Sequence, residues 1–223
     1  MKGTLVNAGA VLIGSLVGMS AGRYLSLGIR TILMQALGLS VMIIGLKMAL
    51  SGSTPIASVS CLLLGGITGE ILRIEQGLEY IGERLRDRFS ADSSTFVQGF
   101  VTATILYLTG AMTIVGCIQD GTVGDASTLY LKSLLDGFAS IALASSLGVG
   151  VAFSALAVLL VQGSLTLLAS QLAFLKAPEV LASVTATGGM IILGIGFNLL
   201  DIKKLRLGNL IPAIIYAIIY PLL

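Results

Sequence analysis

Long apolar segments alternate with short charged stretches along the whole chain. A helix needs about 20 predominantly apolar residues to cross the hydrocarbon core of a bilayer. By that measure the sequence predicts eight spans, at residues 4–22, 31–50, 56–72, 97–118, 129–148, 150–173, 180–200 and 208–223. The fifth segment contains Lys132, Asp136 and several Ser, so it is the one expected to be short, tilted or re-entrant. The pattern predicts an all-α polytopic helix bundle that forms a single transmembrane domain over residues 1–223.

The composition points to the same environment. Of the 223 residues, 56% are hydrophobic and 11% are charged, and the mean hydropathy is +1.01. Soluble proteins carry about 25% charged residues, so the lipid bilayer is the expected partner of this chain. The first apolar segment is expected to stay as a helix rather than to be removed as a signal peptide. A net charge of +2, with basic residues flanking apolar segments, argues against binding to nucleic acid.

Few side chains in this sequence can carry catalysis. The chain has no His, and Cys61 and Cys117 lie inside apolar segments without the spacing of a metal site. The Gly-x-Ser-x-Gly pattern at 18–22 lies inside the first apolar segment rather than at the strand-to-helix turn of a nucleophile elbow, and the sequence contains no phosphate-binding Gly-rich loop. We therefore expect no enzyme activity, no cofactor and no metal. Asp120 and Asp125, in a turn at 119–125, are a weak alternative as oxygen ligands of a hard cation.

The basic residues predict an orientation, because cytoplasmic loops hold the excess of Lys and Arg. With eight spans and both termini on the extracytoplasmic face, only Lys2, Lys132 and Lys176 lie outside, and Lys47 lies within a span. The inner side then receives the other nine basic residues: Arg23, Arg30, Arg73, Arg84, Arg86, Arg88, Lys203, Lys204 and Arg206. This bias predicts a protein of the bacterial plasma membrane.

An amphipathic helix is expected at about 73–90, between the third and fourth spans. Its apolar residues recur at steps of three and four, which places them on one helical stripe: Ile71, Ile74, Leu78, Ile81, Leu85 and Phe89. The opposite face is charged: Glu75, Glu79, Glu83, Arg84, Arg86, Asp87 and Arg88. We expect this helix to continue the third span and then to lie along the cytoplasmic interface, as a collar, a dimer contact or a regulatory contact.

The two ends of the chain resemble each other. The run around Gly14-Ser15-Leu16 matches that around Gly163-Ser164-Leu165, at an offset of 149 residues. At an offset of 151, Gly38, Gly45 and Lys47 match Gly189, Gly196 and Asn198. With eight spans, spans 1–3 and 6–8 (residues 1–72 and 150–223) form an inverted repeat, a feature of secondary transporters. If the fifth segment does not cross the membrane, the repeat becomes parallel.

Small residues form ridges on two of the predicted spans. Gly14, Gly18 and Gly22 recur every four residues in the first span, and Gly65 and Gly69 do so in the third. Such ridges let helix backbones approach closely in lipid. We expect them to serve helix packing, within the chain or in a homo-oligomer.

Ionisable residues inside the predicted spans require partners or water. Lys47 and Asp136 have similar predicted depths in the outer half of the membrane, and Asn7, Asp120 and Asp125 are expected nearby. These residues predict an outer vestibule that contains a Lys–carboxylate pair. The alternative is that Lys47 extends to the interface and that Asp136 caps or bends its helix.

Polar residues also close two spans on the predicted inner side. Glu70 ends the third span, where Arg73 at i+3 is a suitable partner, and Asn198 and Asp201 end the seventh. Under the inverted repeat, Asn198 is the inner counterpart of Lys47. Polar groups would then face a central site from both halves of the membrane, with Glu70, Asn198 and Asp201 at the inner gate.

Several motifs together resemble one family. They are GTLVN at 3–7, LMQALG at 33–38, IGLKMAL at 44–50, LGGITGE at 64–70, FVQGFVTA at 96–103, GAM at 110–112, QDG at 119–121, STLY at 127–130 and KSLLDG at 132–137. The chain resembles the YqgA/YdfK-like bacterial membrane proteins, collected as domain of unknown function family 554, over nearly its whole length. The resemblance implies a multi-pass inner-membrane protein without supplying a substrate, and Lys47, Glu70, Asp120 and Asp136 fall inside these motifs.

Taken together, the spans, the repeat and the intramembrane charges predict transport of a small solute or ion. In this hypothesis Asp136 couples transport to protons by changing its protonation state as access alternates. One alternative is a membrane scaffold or regulator that uses the helix at about 73–90 as its cytoplasmic contact. Another is an ion channel, which would need a continuous polar pore.

Overall fold

The apolar segments of the sequence fold into α-helices. The structure is a computed structural model that describes residues 1–22, 24, 26–52, 55–88, 95–108 and 111–222, with the backbone alone at 27, 30, 33 and 111. Arg23, Phe89, Gly110 and the side chain of Arg30 lie outside this description. The described helices are α1 (Lys2–Gly22), α2 (Leu27–Ala49), α3 (Pro55–Leu72), α4 (Ile74–Arg88), α5 (Phe96–Leu108), α6 (Ala111–Thr122), α7 (Ser127–Leu147), α8 (Gly150–Leu167), α9 (Pro178–Leu199) and α10 (Pro212–Ile219), with short 3₁₀ helices at Ala173–Lys176, Leu207–Leu210 and Tyr220–Leu222.

The all-α class predicted from the sequence is confirmed for the described part of the chain, whereas the count of eight spans is not. Four of the described helices are long and apolar enough to cross a membrane, namely α1, α3, α8 and α9. A fifth crossing results if α5 and Met112–Thr122 act as one span, although their axes differ by 64°. The segment predicted as one span at 97–118 is thus two helices at an angle. Met34–Ala49 and Leu207–Leu222 are shorter apolar helices.

The chain forms two compact units. Unit 1 contains Met1–Met34, Glu79–Leu108 and Met112–Ala173. Unit 2 is built mainly from Gln35–Leu78 and Phe174–Leu223. Each unit takes segments from both predicted repeat halves, 1–72 and 150–223, so the boundaries of the units do not follow those of the repeat.

In unit 1, α1 packs along α7 through its glycines. A Cβ added at Gly14, Gly18 or Gly22 would collide with a backbone carbonyl oxygen of α7, at Gly137, Ile141 and Ser145 respectively. The contacting residues increase in number along both helices in the same direction, so α1 and α7 run parallel. The glycine ridge therefore brings two helix backbones into direct contact.

On its other side α1 lies antiparallel to α8, since Thr4 contacts Thr166 while Asn7 contacts Gln162. The α8 helix packs in turn against α5, where a Cβ at Gly150 would collide with the carbonyl oxygen of Phe96. Fully buried apolar side chains of α1, α5, α7 and α8 fill the space between these helices: Val11, Ile105, Leu129, Leu143, Val151 and Val158. The α1 helix is thus enclosed between α7 and α8, which directs its polar residues inward.

In unit 2, glycines bring together two antiparallel helix pairs. Between α2 and α9, Gly38 lies against Gly196 and Gly45 lies against Gly189. Between α3 and α10 with its preceding 3₁₀ turn, a Cβ at Gly65 would collide with Ala213 and one at Gly69 with the backbone of Asn209. The second ridge therefore also lies at a helix-to-helix contact within the chain.

The boundary between α3 and α4 departs from the sequence-based expectation. Arg73 has a φ of 56° between the end of α3 at Leu72 and the start of α4 at Ile74. A residue in this left-handed region interrupts the helix, so α4 does not continue α3 as expected. Glu75, expected on the charged face of α4, is 8% exposed, because its carboxylate accepts a hydrogen bond from the backbone N–H of Gly208.

The α1–α7 contact generates a test of packing. Gly18→Ala should lower the free energy of unfolding by about 1–3 kcal/mol, since the new methyl group collides with backbone that has little room to move. Thermal unfolding of the purified protein in detergent measures this change. The matched control is Gly9→Ala on the same helix, because a Cβ at that position would have no described atom within 4 Å apart from its chain neighbours and the backbone of its own helix. Equal melting temperatures for the two variants would contradict the close contact.

Candidate functional site

Unit 1 encloses a group of polar side chains, here called the polar core. It draws on four helices, α1, α5, α7 and α8, and none of its members exposes more than 7% of its whole-residue surface. Its members are Thr4, Asn7, Tyr107, Lys132, Asp136, Ser140, Gln162 and Thr166. Polar groups removed from solvent are costly unless they are paired, so the hydrogen bonds of this core determine what it can do.

An ion pair on α7 lies at the centre of the polar core. Lys132 Nζ is 2.5 Å from Asp136 Oδ2, and the two side chains are 7% and 10% exposed. Their spacing of four residues puts both on the face of α7 that packs against α1. A charged pair in such a place loses much of its hydration, which its mutual attraction and further hydrogen bonds must offset.

Asn7 on α1 supplies such hydrogen bonds. Its Nδ2 donates to Asp136 Oδ2 at 3.0 Å and to Gln162 Oε1 at 2.9 Å. Gln162 in turn donates from Nε2 to Thr4 Oγ1 at 3.4 Å, which leaves its Oε1 free to accept. Because both neighbours of Asn7 accept, its amide nitrogen must face them. The Asn7 Oδ1 atom is buried, and no donor among the described residues bonds to it.

Tyr107 on α5 covers the cationic end of the pair. Its hydroxyl lies 2.7 Å from Ser140 Oγ, and its ring centroid lies 6.0 Å from Lys132 Nζ. At that distance the face of the ring attracts an ammonium group. Thr4 and Thr166 extend the polar core along α1 and α8, with their hydroxyl oxygens 3.1 Å apart.

The structure brings together two of the residues predicted for the outer vestibule, Asn7 and Asp136. The partner of Asp136 is Lys132 rather than Lys47, which is exposed near the end of α2 in unit 2. Lys132 and Gln162 were missed as site residues. The i,i+4 spacing of Lys132 and Asp136 was a usable signal, as was a lone Gln within the apolar α8.

Asp120 and Asp125 take separate roles. Asp120 is buried, and its Oδ2 accepts the backbone N–H of Gly3 and lies 2.9 Å from the amino group of Met1. Asp125 is exposed in the loop before α7, where it accepts the backbone N–H of Ser127 at 3.0 Å. This hydrogen bond holds the pKa of the Asp125 carboxyl below its usual value. Among the described residues, no group of three or more acidic or Cys side chains could hold a metal ion.

The predicted inner residues each make local contacts in unit 2. Glu70 is exposed and bonds through its two oxygens to Arg206 and Asn209, both at 2.7 Å, so its ion pair is with Arg206 rather than with Arg73. Asn198 donates to and accepts from the backbone of Leu205 and thereby closes the loop after α9. Asp201 lies exposed in that loop with a φ of 54°.

Asn209 and Glu75 form a second buried contact in unit 2 that the sequence did not reveal. Asn209 Oδ1 accepts the backbone N–H of Glu75 at 2.7 Å, while the Glu75 carboxylate accepts that of Gly208. Each side chain thus satisfies a backbone donor at the start of the other's helical segment. This reciprocal pairing fixes the start of α4 against the turn before α10.

Comparison with known proteins identifies the family. Residues 2–222 match the family described as "Protein of unknown function (DUF554)". The chain is 31% identical over 219 residues to the "Uncharacterized membrane protein YdfK" of Bacillus subtilis (strain 168), covering 96% of this chain and 93% of that protein. It is 30% identical over 220 residues to the "Uncharacterized protein YqgA" of Escherichia coli (strain K12), covering 96% and 94%. No solved structure matches the chain. The chain is therefore a helical membrane protein and belongs to the DUF554 family.

Proposed function

We propose that this protein is a secondary transporter for a small solute or ion in the bacterial plasma membrane. The observation that carries the proposal is the Lys132–Asp136 pair, buried in the interior of apolar helices. Ionisable residues at such positions are rare and mark ion or solute pathways in membrane proteins. The polar core of unit 1 is the proposed contact site for the solute.

A purely structural role explains this pair poorly. Replacing a buried ion pair by well-packed apolar residues is often neutral or stabilising, so a protein gains little stability by keeping one. The pair is also joined to Asn7, which leaves one buried acceptor atom, Oδ1, unsatisfied. A core selected for stability alone would avoid both features.

Helix directions support the inverted repeat and, with it, alternating access. The repeat equates α1 with α8, α2 with α9 and α3 with α10, and equivalent helices must cross the membrane in opposite senses. The contacts within each of these three pairs are antiparallel. The two matched glycines of α2 also meet the two matched glycines of α9.

The proposed topology has eight crossings, including α7, with both termini on the extracytoplasmic face. In this arrangement Asp120 and Asp125 lie toward the outside, and Glu70, Asn198 and Asp201 lie toward the cytoplasm. The excess of Lys and Arg in the loops assigned to the inner side supports the orientation.

Neutralising the central carboxylate should abolish transport. Asp136→Asn, reconstituted in liposomes with a panel of ions, amino acids and organic acids, is expected to reduce flux by about tenfold or more, because Lys132 loses its counterion. The matched control is Asp87→Asn, the same change at an exposed carboxylate on α4, which should leave flux unchanged.

A double variant separates transport from stability. Lys132→Met combined with Asp136→Leu should fold with a melting temperature near that of the wild type, since it removes both charges together. It should nevertheless carry no solute. Normal flux through this variant would refute a transport role for the pair. Absence of flux through the wild-type protein itself would instead favour a scaffold that uses α4, where Tyr80 and Ile81 are about half exposed.

Accessibility labelling should reveal the topology. In a protein lacking Cys61 and Cys117, single Cys residues at Asp125 and Lys176 should react with an impermeant maleimide from the extracytoplasmic side. Single Cys residues at Asp87 and Lys203 should react from the cytoplasmic side. Should Lys176 label from inside and Lys203 from outside, α7 does not cross, and the inverted repeat is ruled out.

A further inference from the structure

The amide of Asn7 has an unused bonding capacity. Its Nδ2 serves both Asp136 Oδ2 and Gln162 Oε1, while its Oδ1 is buried and has no donor. If the amide turned over, Oδ1 would face the same two oxygens, which is repulsive unless a cation lies among them. A cation at that point would be bound by Asn7 Oδ1, Asp136 Oδ2 and Gln162 Oε1, and Asn7 Nδ2 would move to the buried position that Oδ1 holds in the structure.

The donor atoms select a class of cation. Carboxylate, amide and hydroxyl oxygens are the ligands of hard metal ions. The hydroxyl of Thr4 accepts from the Gln162 amide, and the hydroxyl of Thr166 lies against that of Thr4 and donates to the backbone carbonyl of Gln162. The site contains one carboxylate, which neutralises one positive charge. A single charge is what the Lys132 ammonium supplies in the structure, so an ion of the same charge can replace it without leaving the site charged.

We propose that the polar core of unit 1 binds a small monovalent cation between Asp136 and Asn7, in exchange for a proton carried by Lys132. This inference rests on the transport function proposed above and names its substrate class. Lys132 is then a positioning residue that occupies the carboxylate when the metal cation is absent.

Charge balance sets the stoichiometry. Burying both a metal cation and the Lys132 ammonium beside one carboxylate would leave a net positive charge out of water, which is costly. The ammonium N–H bond therefore breaks as the cation binds, the proton passes to water on the open side, and the amine remains neutral. One cation enters for each proton that leaves, and the reverse step restores the Lys132–Asp136 pair.

The other groups around the pair are consistent with this exchange. The α1 and α8 helices present the neutral side chains of Asn7 and Gln162 to it. Tyr107 faces the pair from α5. From α6, the Cys117 thiol donates a hydrogen bond to the backbone carbonyl oxygen of Gln162. Asp120 already accepts the backbone N–H of Gly3 and forms an ion pair with the amino group of Met1. Asp136 is thus the carboxylate within this group that can alternate between Lys132 and a metal cation.

The test uses the full chain in proteoliposomes that contain a pH-sensitive dye. A step of external Na⁺ should raise the internal pH, since Na⁺ enters as protons leave, whereas an equal step of choline should not. Li⁺ and K⁺ in parallel define the selectivity. Asp87→Asn, at a carboxylate whose side chain is 65% exposed on α4, is the control that should respond like the wild type.

Two variants divide the exchange into its parts. Lys132→Met should lose the pH response by about tenfold or more while it still binds Na⁺, detected as thermal stabilisation in detergent. That stabilisation should exceed the wild-type value, because no ammonium competes. Asp136→Asn should lose both the pH response and the stabilisation by Na⁺.

The outcomes separate this inference from the proposed function. The protein could transport another solute without a Na⁺-dependent pH change, and Na⁺, Li⁺ and K⁺ could fail to stabilise Lys132→Met. This result overturns the cation site but not the proposed transport function. Stabilisation of Lys132→Met by Na⁺ without flux of any solute supports the cation site and overturns transport. If the protein shows neither flux of any solute nor stabilisation by these cations, both the cation site and the transport function are overturned.

Discussion

The ion pair between Lys132 and Asp136 is the interaction on which the interior of unit 1 depends. Two charges on an otherwise apolar set of helices can be buried only together, and each needs further polar contacts. Asn7 supplies them from α1, Tyr107 from α5, and Gln162 connects the amide to α8. One pair on α7 therefore dictates polar residues at matching depths on three neighbouring helices.

This arrangement requires helices that lie unusually close. The side chain of Asn7 is short, and it reaches Asp136 because Gly14, Gly18 and Gly22 let the α1 backbone rest on that of α7. Packing and chemistry are thus two results of one sequence feature. The glycine ridge determines the distance between helices, and that distance lets a small amide side chain, rather than a longer one, contact the carboxylate.

Much of the fold could be predicted from the sequence, since long apolar segments form helices whatever their neighbours are. The proximity of Asp136 and Asn7 also followed, because both were expected in the same half of the membrane. The partner of Asp136 was predicted wrongly, because similar predicted depth in the membrane favoured Lys47. Its partner in the structure is Lys132, one turn away on the same helix. Helical periodicity likewise put Glu75 on an exposed face, but a backbone donor at Gly208, distant in sequence, binds and buries it. The burial of Glu75 is decided by this contact between distant segments, and no local pattern encodes it.

The parallel course of α1 and α7 constrains how the chain is threaded. Two parallel helices that both cross a bilayer begin on the same side, so the polypeptide between Gly22 and Ser127 must return by an odd number of passages. In the proposed topology the apolar helices α2 and α3 supply two of these passages, and the angled pair α5–α6 supplies the third. Under that topology, parity requires the bent pair to traverse the lipid completely, because a hairpin that re-emerged where it entered would leave α7 running opposite to α1.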